Sequence, residues 1–269
     1  MLKMMRSISS RQNPIVAAFR DLAADAPLDG SRLLLDGTHL VEDARAAGLR
    51  LATVAVTEDA IARVPAIARL AQTLEHDAEV LVVTTAVMAA LSPVRTPSGI
   101  VAIAERVPTN TASICQHPDA MIVAAIDVQD PGNVGAIVRA AEALGATGAL
   151  VCGASANPFS WKALRGSMGS ALRLPLAAGI ASDGVVRCAR TFGLRVVACV
   201  AHHGDPPAAA DWSGRSVLLL GAEGSGLPET IAAAADVRIT IPMRPPVESL
   251  NVAVSAALLL YEAQRQRAS

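Results

Sequence analysis

One stretch restricts the fold more than any other: residues 121–128 (MIVAAIDV) are apolar at nearly every position. A strand with one wet face alternates polar and apolar residues, so a run without alternation belongs to a strand covered on both faces. That condition is met inside a parallel sheet flanked by helices. Residues 148–152 and the apolar 216–220 read as further strands, and helical stretches lie between the strands. The expected fold class is therefore α/β, built in layers.

The rest of the chain divides at 106–119 (RVPTNTASICQHPD), which has turn residues and no periodicity and reads as a linker. Ahead of it, residues 1–105 form a small α/β domain. Asn13-Pro14 opens a helix to Leu22, and a strand at 32–35 ends at Asp36-Gly37. Thr38 caps a helix to Ala47, followed by a strand at 51–56 and a helical stretch at 60–74 interrupted by Pro65. A strand at 80–83, a helix at 86–91 and a strand at 99–104 complete it. Beyond the linker, 120–269 is a second domain. After the strand at 121–128 come helix 133–144, strand 148–152, helix 159–164, strand 172–176, helix 183–192 and strand 195–201. Residues 202–214 read as a surface loop, and strands 216–220 and 237–241 precede a last helix at 250–266.

Composition narrows the function. Hydrophobic residues make up 52% of the chain, enough for a sizeable core, so disorder is not expected. Aromatics at 2% argue against recognition by base stacking on exposed rings. A net charge of −1 gives no global basic field, so any contact with nucleic acid has to be local. Cys115, Cys152, Cys188 and Cys199 form no CxxC pair and read as small core residues, not zinc ligands or disulfides; no metal site is expected. Residues 1–11 are basic with no apolar run behind them, unlike a signal peptide, and no stretch of about 18 apolar residues occurs. A soluble cytoplasmic protein without a membrane partner is expected.

The chemistry concentrates where two strands release loops rich in glycine or proline. Such loops sit at the carboxyl ends of parallel strands, where ligands bind. Residues 221–228 (GAEGSGLP) follow one strand, and 242–252 (PMRPPVESLNV) follow the other. The glycine spacing is GxxGxG and no GK[ST] follows, which excludes a P-loop and leaves a dinucleotide fingerprint weakly supported. A nucleotide-dependent oxidoreductase would also need an acid after the next strand, where Pro242 stands. Single residues have ordinary roles available: Asn133 and Ser249 as helix caps, Asn251 as a first-turn polar residue, Arg139 as an (i, i+3) partner of Glu142.

Together these residues resemble a family. The segment Asp130-Pro131-Gly132-Asn133-Val134-Gly135-Ala136-Ile137-Val138-Arg139 is similar to the first motif of SpoU-type (TrmH-like) RNA ribose 2′-O-methyltransferases of the SPOUT class. Gly221-Ala222-Glu223-Gly224-Ser225-Gly226-Leu227 resembles their second motif, and Ile241-Pro242-Met243 with Ser249-Leu250-Asn251-Val252 their third. Residues 1–105 more loosely resemble the family's ribosomal-protein-like substrate-binding domain, with Asp36 where the family often has Glu.

The resemblance implies a trefoil-knotted methyltransferase domain, a homodimer, and S-adenosylmethionine as cofactor. It implies that Gly221, Glu223, Gly224, Ile241, Met243, Ser249 and Leu250 hold that cofactor, and that Arg139, Asn133, Glu223, Ser249 and Asn251 serve catalysis. A guanidinium is a poor base, so Arg139 is read as a phosphate clamp and alkoxide stabiliser. Arg11, Lys162, Arg165, Arg173 and Arg244 are candidate RNA phosphate contacts. The implied activity is ribose 2′-O-methylation of RNA, with 23S ribosomal RNA the expected substrate; tRNA, and an inactive RNA-binding protein on the same fold, stand as alternatives.

Overall fold

In a computed structural model describing residues 6–268, the chain forms two compact units, one from residues up to 108 together with 159–165, the other from 109–158 and 166–269. Residues 1–5, which open the expected first domain and part of the basic stretch 1–11, lie outside the described residues, as does Ser269.

In the first unit the elements are β1 Arg6–Ile8, α1 Pro14–Ala24, β2 Arg32–Asp36, α2 Thr38–Ala46, β3 Arg50–Thr57, α3 Glu58–Arg63, α4 Pro65–Leu74, β4 Glu79–Val83, α5 Thr85–Leu91 and β5 Ile100–Glu105. Its sheet runs β1-β4-β3-β5-β2, parallel across β1, β4 and β3 and antiparallel at β5. Asn13 caps α1 by accepting from the Ile15 N–H, and Pro14 takes the first helical turn, where a missing N–H costs nothing. Pro65 does the same for α4, so it divides the helical stretch into two helices. Thr38 does not cap α2: Gly37, at φ 101°, occupies that position without a side-chain bond. Phe159 is fully buried in this unit, its ring under the Arg106 guanidinium and against Gly30, where a Cβ would stand 2.8 Å from ring atoms.

The second unit contains α6 Thr111–Cys115, β6 Met121–Ile126, α7 Pro131–Ala143, β7 Gly148–Cys152, α8 Trp161–Ser167, α9 Ser170–Arg173, β8 Leu176–Ile180, α10 Ser182–Thr191 and β9 Arg195–Cys199. The 3-10 turn Pro207–Ala209, β10 Ser216–Leu220, α11 Glu229–Ala233, β11 Val237–Ile239 and α12 Val252–Arg267 follow. The start of α8 clusters with the first unit. The sheet order is β11-β9-β10-β6-β7-β8, and every neighbouring pair is parallel. Every residue of β6, β7 and β10 is buried, which is why these strands carry no polar alternation.

Three further expectations change. The linker contains α6, capped by the Asn110 side chain, and Ile114 and Cys115 are core residues of the second unit. The strand expected at 172–176 begins at Leu176, because Gly169 at φ 82° starts a helical turn over Ser170–Arg173 and Pro175 ends it. The loop 202–214 is pinned by Trp212, which is fully buried and donates its indole N–H to the Pro207 carbonyl at 3.1 Å. Trp212→Ala should destabilise the protein by about 3–5 kcal/mol, the cost of emptying a large buried site, measured as a lower urea midpoint at unchanged m-value.

Candidate active site

The first loop after β6 opens α7. Asp130 is its cap, its Oδ1 accepting the Asn133 N–H at 2.8 Å, with Pro131 in the first turn. Because Asp130 takes that role, the Asn133 side chain is released from capping. The pairing of Arg139 with Glu142 is likewise absent: Glu142 is held by Arg173 through Nε at 2.7 Å and Nη2 at 2.8 Å. That fork keeps the Glu142 carboxyl below the usual carboxylate range, and it engages Arg173 within the protein. Arg139 stands exposed on α7, away from the buried Val134, Ile137, Val138 and Ala141, with no hydrogen-bond or ion-pair partner among the described residues.

The second loop leaves β10 through Gly221, whose position admits no side chain: a Cβ there would run into the backbone of Gly226 and Leu227. Ala222 and Gly226 exchange backbone hydrogen bonds of 3.1 and 2.9 Å, closing a tight turn with Glu223 near its head. Gly224 and Gly226 adopt φ of 89° and 70°, the left-handed region that turn requires.

The third loop enters α12 through Asn251, and this residue, not Ser249, is the helix cap. Its Oδ1 accepts from Ala253 and Val254 N–H groups at 2.9 and 3.3 Å. With the carbonyl oxygen so occupied, its Nδ2 donates to Asn133 Oδ1 at 3.0 Å and to Glu223 Oε1 at 3.1 Å. Asn133 Nδ2 also donates to Glu223 Oε1. Three side chains from three distant loops thus close a ring of hydrogen bonds, and Glu223 Oε2 takes no part in it.

Beside the ring lies a cavity of about 370 Å³ at the carboxyl ends of β9 and β10, within the range of small-molecule sites. Gly221, Glu223, Gly224, Ile241, Met243, Ser249, Leu250 and Asn251 all line it. Arg139 does not. The cavity holds two carboxylates, Glu223 and Glu248, and no lysine or arginine, against an apolar wall that includes Leu220, Ile241 and Met243. That set suits a cationic or neutral ligand and opposes a polyphosphate, which removes the nucleotide-dependent oxidoreductase reading. Cys199 also faces the cavity, and burial pushes its thiol up to about 11, so it presents a neutral, unreactive wall.

Cys199, Val200, Ala201 and Glu248 line the cavity without having been singled out. The first three sit at the end of β9, so the rule that ligands gather at parallel strand ends pointed to them. Among the candidate phosphate contacts, Arg11, Lys162 and Arg165 belong to the first unit and Arg173 and Arg244 to the second; all are exposed. Arg11 donates to the Ala86 carbonyl at 2.9 Å, and the Lys162 ammonium lies 5.5 Å from the Trp161 ring centre.

A fully parallel sheet, a glycine-turned loop and an asparagine-capped helix surround one cavity, and the similarities of the chain make it an RNA methyltransferase of the SPOUT class. Residues 120–261 match the SpoU rRNA Methylase family and residues 29–102 the MRM3-like substrate binding domain, so the chain belongs to the SpoU rRNA methylase family. It is 32% identical to an uncharacterised tRNA/rRNA methyltransferase of Synechocystis sp., over 97% of this chain and 94% of that one. It is 27% identical to the 23S rRNA (guanosine(2553)-2′-O)-methyltransferase RlmP of Bacillus subtilis, over 96% and 98% of the two chains. The crystal structure of an AdoMet-bound rRNA methyltransferase from Sinorhizobium meliloti superposes with a TM-score of 0.85 at 30% identity, covering 97% of each chain. Members of this family take their methyl group from S-adenosylmethionine. Among the described residues no helix is long and apolar enough to cross a membrane.

The ring and the cap separate in two variants. Asn251→Ala removes both, and should cost about 1 kcal/mol of stability through the lost cap as well as weakening donor binding. Asn133→Ala leaves the cap of α7 on Asp130, so its urea midpoint should stay near wild type while calorimetry records donor affinity falling about tenfold.

Proposed function

We propose that this protein methylates a ribose 2′-oxygen of 23S ribosomal RNA, working in the cytoplasm as a homodimer whose methyltransferase domain is trefoil-knotted. The observation that carries the reading is the cavity itself, which unites residues of the second and third motifs with the end of β9, offers acids and apolar groups, and has no cationic side chain in its lining. S-adenosylmethionine brings to it a methyl group on a cationic sulfonium. Glu223 and Glu248 would favour that positive charge, Leu220, Ile241 and Met243 would supply an apolar wall, and Gly221 and Gly224 would let backbone groups approach the donor. With the donor bound, that apolar wall would limit its contact with water, which favours a transition state in which charge is dispersed.

Asn133 and Asn251 fix Glu223 through Oε1, leaving Oε2 to accept the hydrogen of the ribose hydroxyl and aim its oxygen. Ser249, at the lip of the cavity, orients donor or sugar. Arg139 clamps the neighbouring phosphate and stabilises the developing alkoxide. It lines no part of the cavity in its own chain, so the reading assigns it to the cavity of the partner. An exposed stripe on α12 supports that assembly: Val254, Leu258 and Tyr261 recur at helical spacing and are 48%, 46% and 61% exposed. Val252, Ala256, Leu259 and Leu260 of the same helix are buried in the chain's own core.

For the RNA, the substrate-binding match at 29–102 and the end-to-end similarity to a 23S ribosomal RNA enzyme support rRNA over tRNA. The first unit would grip the backbone with Arg11, Lys162 and Arg165, and Arg244 would add a contact beside the cavity; Arg173, tied to Glu142, would play a lesser part.

Arg139→Ala should lower methyl transfer by about 10²–10³-fold with donor affinity retained. Mixing Arg139→Ala chains with Glu223→Ala chains, each inactive alone, tests the assignment across subunits. If Arg139 serves the partner's cavity, each mixed dimer has one intact site and the mixture recovers about a quarter of wild-type turnover. If it serves its own cavity, every site carries a lesion and no labelled methyl is transferred.

A further inference from the structure

The four cysteines are widely spaced in sequence, yet two of them meet. Cys115 at the end of α6 and Cys188 in α10 are 73 positions apart, and their sulfurs lie 2.7 Å from each other. Unbonded sulfur atoms in ordinary contact stand farther apart than that. We propose that this pair is a redox modification site, at which a small-molecule disulfide such as oxidised glutathione converts the two thiols into an intrachain disulfide joining α6 to α10.

The approach of the two sulfurs is built in by the surrounding backbone. Arg215 donates to the carbonyls of Cys115 at 2.6 Å, His117 at 3.1 Å and Phe192 at 2.8 Å, so a single guanidinium ties the end of α6 to the end of α10. Cys115 is 1% exposed and belongs to the core, with Cys188 partly buried against it. Cys152 and Cys199 have no such neighbour among the described residues.

Access sets the order of events. Cys188, the more exposed sulfur, attacks one sulfur of the small disulfide and releases one thiol, leaving a mixed disulfide. Cys115 then attacks the Cys188 sulfur and expels the second thiol. In sum, two cysteine thiols and one disulfide become one intrachain disulfide and two small thiols; the cysteines are oxidised and the reagent is reduced. Burial, and then Cys188 itself, push the Cys115 thiol up to about 12; Cys152 adds to this and the Arg215 guanidinium opposes it. The second step is accordingly slow at neutral pH and quickens as thiolate forms.

The link would close a long loop and so stabilise the folded second unit. It would do so without entering the cavity: α6 leads into β6 and α10 into β9, so the clamp secures the starts of the strands whose far ends carry the site.

The test treats the full-length protein with excess oxidised glutathione and maps cysteine peptides by mass spectrometry without reduction. Expected is a cross-linked Cys115–Cys188 peptide lighter by two hydrogens, reversed by dithiothreitol, with a raised melting temperature and unchanged donor affinity. Its rate should rise roughly tenfold per pH unit below the Cys115 titration. Cys115→Ser should accumulate the glutathione adduct on Cys188, and Cys188→Ser should give no cross-link. If Cys115→Ser impairs folding, Cys115→Ala serves the same purpose. Wild-type protein that stops at the adduct even at alkaline pH, or that cross-links through Cys152 or Cys199, would overturn the proposal.

Discussion

Everything about the site depends on three side chains that satisfy one another. Asn133, Glu223 and Asn251 come from loops separated by about ninety and then about thirty residues, and no two of the loops belong to the same strand–helix connection. Each could rest on local partners, as polar residues at helix starts commonly do. Asp130 relieves Asn133 of that duty, and Asn251 performs it with its oxygen only, so that both amide groups have donors left to offer the carboxylate. A charge-assisted bond to Glu223 is stronger than a neutral one, so the ring makes the mouth of the cavity a defined object.

The sheet makes the ring possible. Because every strand of the second unit runs the same way, all carboxyl ends and all their loops fall on one side. Burial of β6, β7 and β10 on both faces fixes their height, and Gly221 lets the chain fold back against itself immediately after β10. The result is a cavity whose lining is acidic and apolar and holds no arginine or lysine, a polarity suited to the sulfonium donor proposed for it.

Much of this was legible in the residues. Strands buried on both faces announce themselves as unbroken apolar runs, and 148–152 and 216–220 match their elements end to end. The residues expected around the donor do gather at one cavity. What stayed hidden depends on contacts distant in sequence. The run 172–176 carries leucine at every second position as a strand would, and Gly169 and Pro175 decide for a helical turn first. Trp212 sits among loop residues, and nothing local shows that its ring is buried. Asn133 and Ser249 are both suited to capping by residue type, but Asp130 and Asn251 fill those positions. Likewise Arg139 has no hydrogen-bond or ion-pair partner among the described residues, and Glu142 is held by Arg173, more than thirty positions away.

The central claim is that the loops after β9, β10 and β11 form one pocket for a sulfonium donor, with Asn133 of the first motif bracing Glu223 at its edge. It is tested most directly by hydrogen exchange with and without S-adenosylmethionine, run beside a calorimetric titration. The account predicts one site per chain, with new protection confined to the end of β9, the turn at 221–226 and the segment 241–251. Protection centred elsewhere, or a titration without heat and without protection, would contradict it.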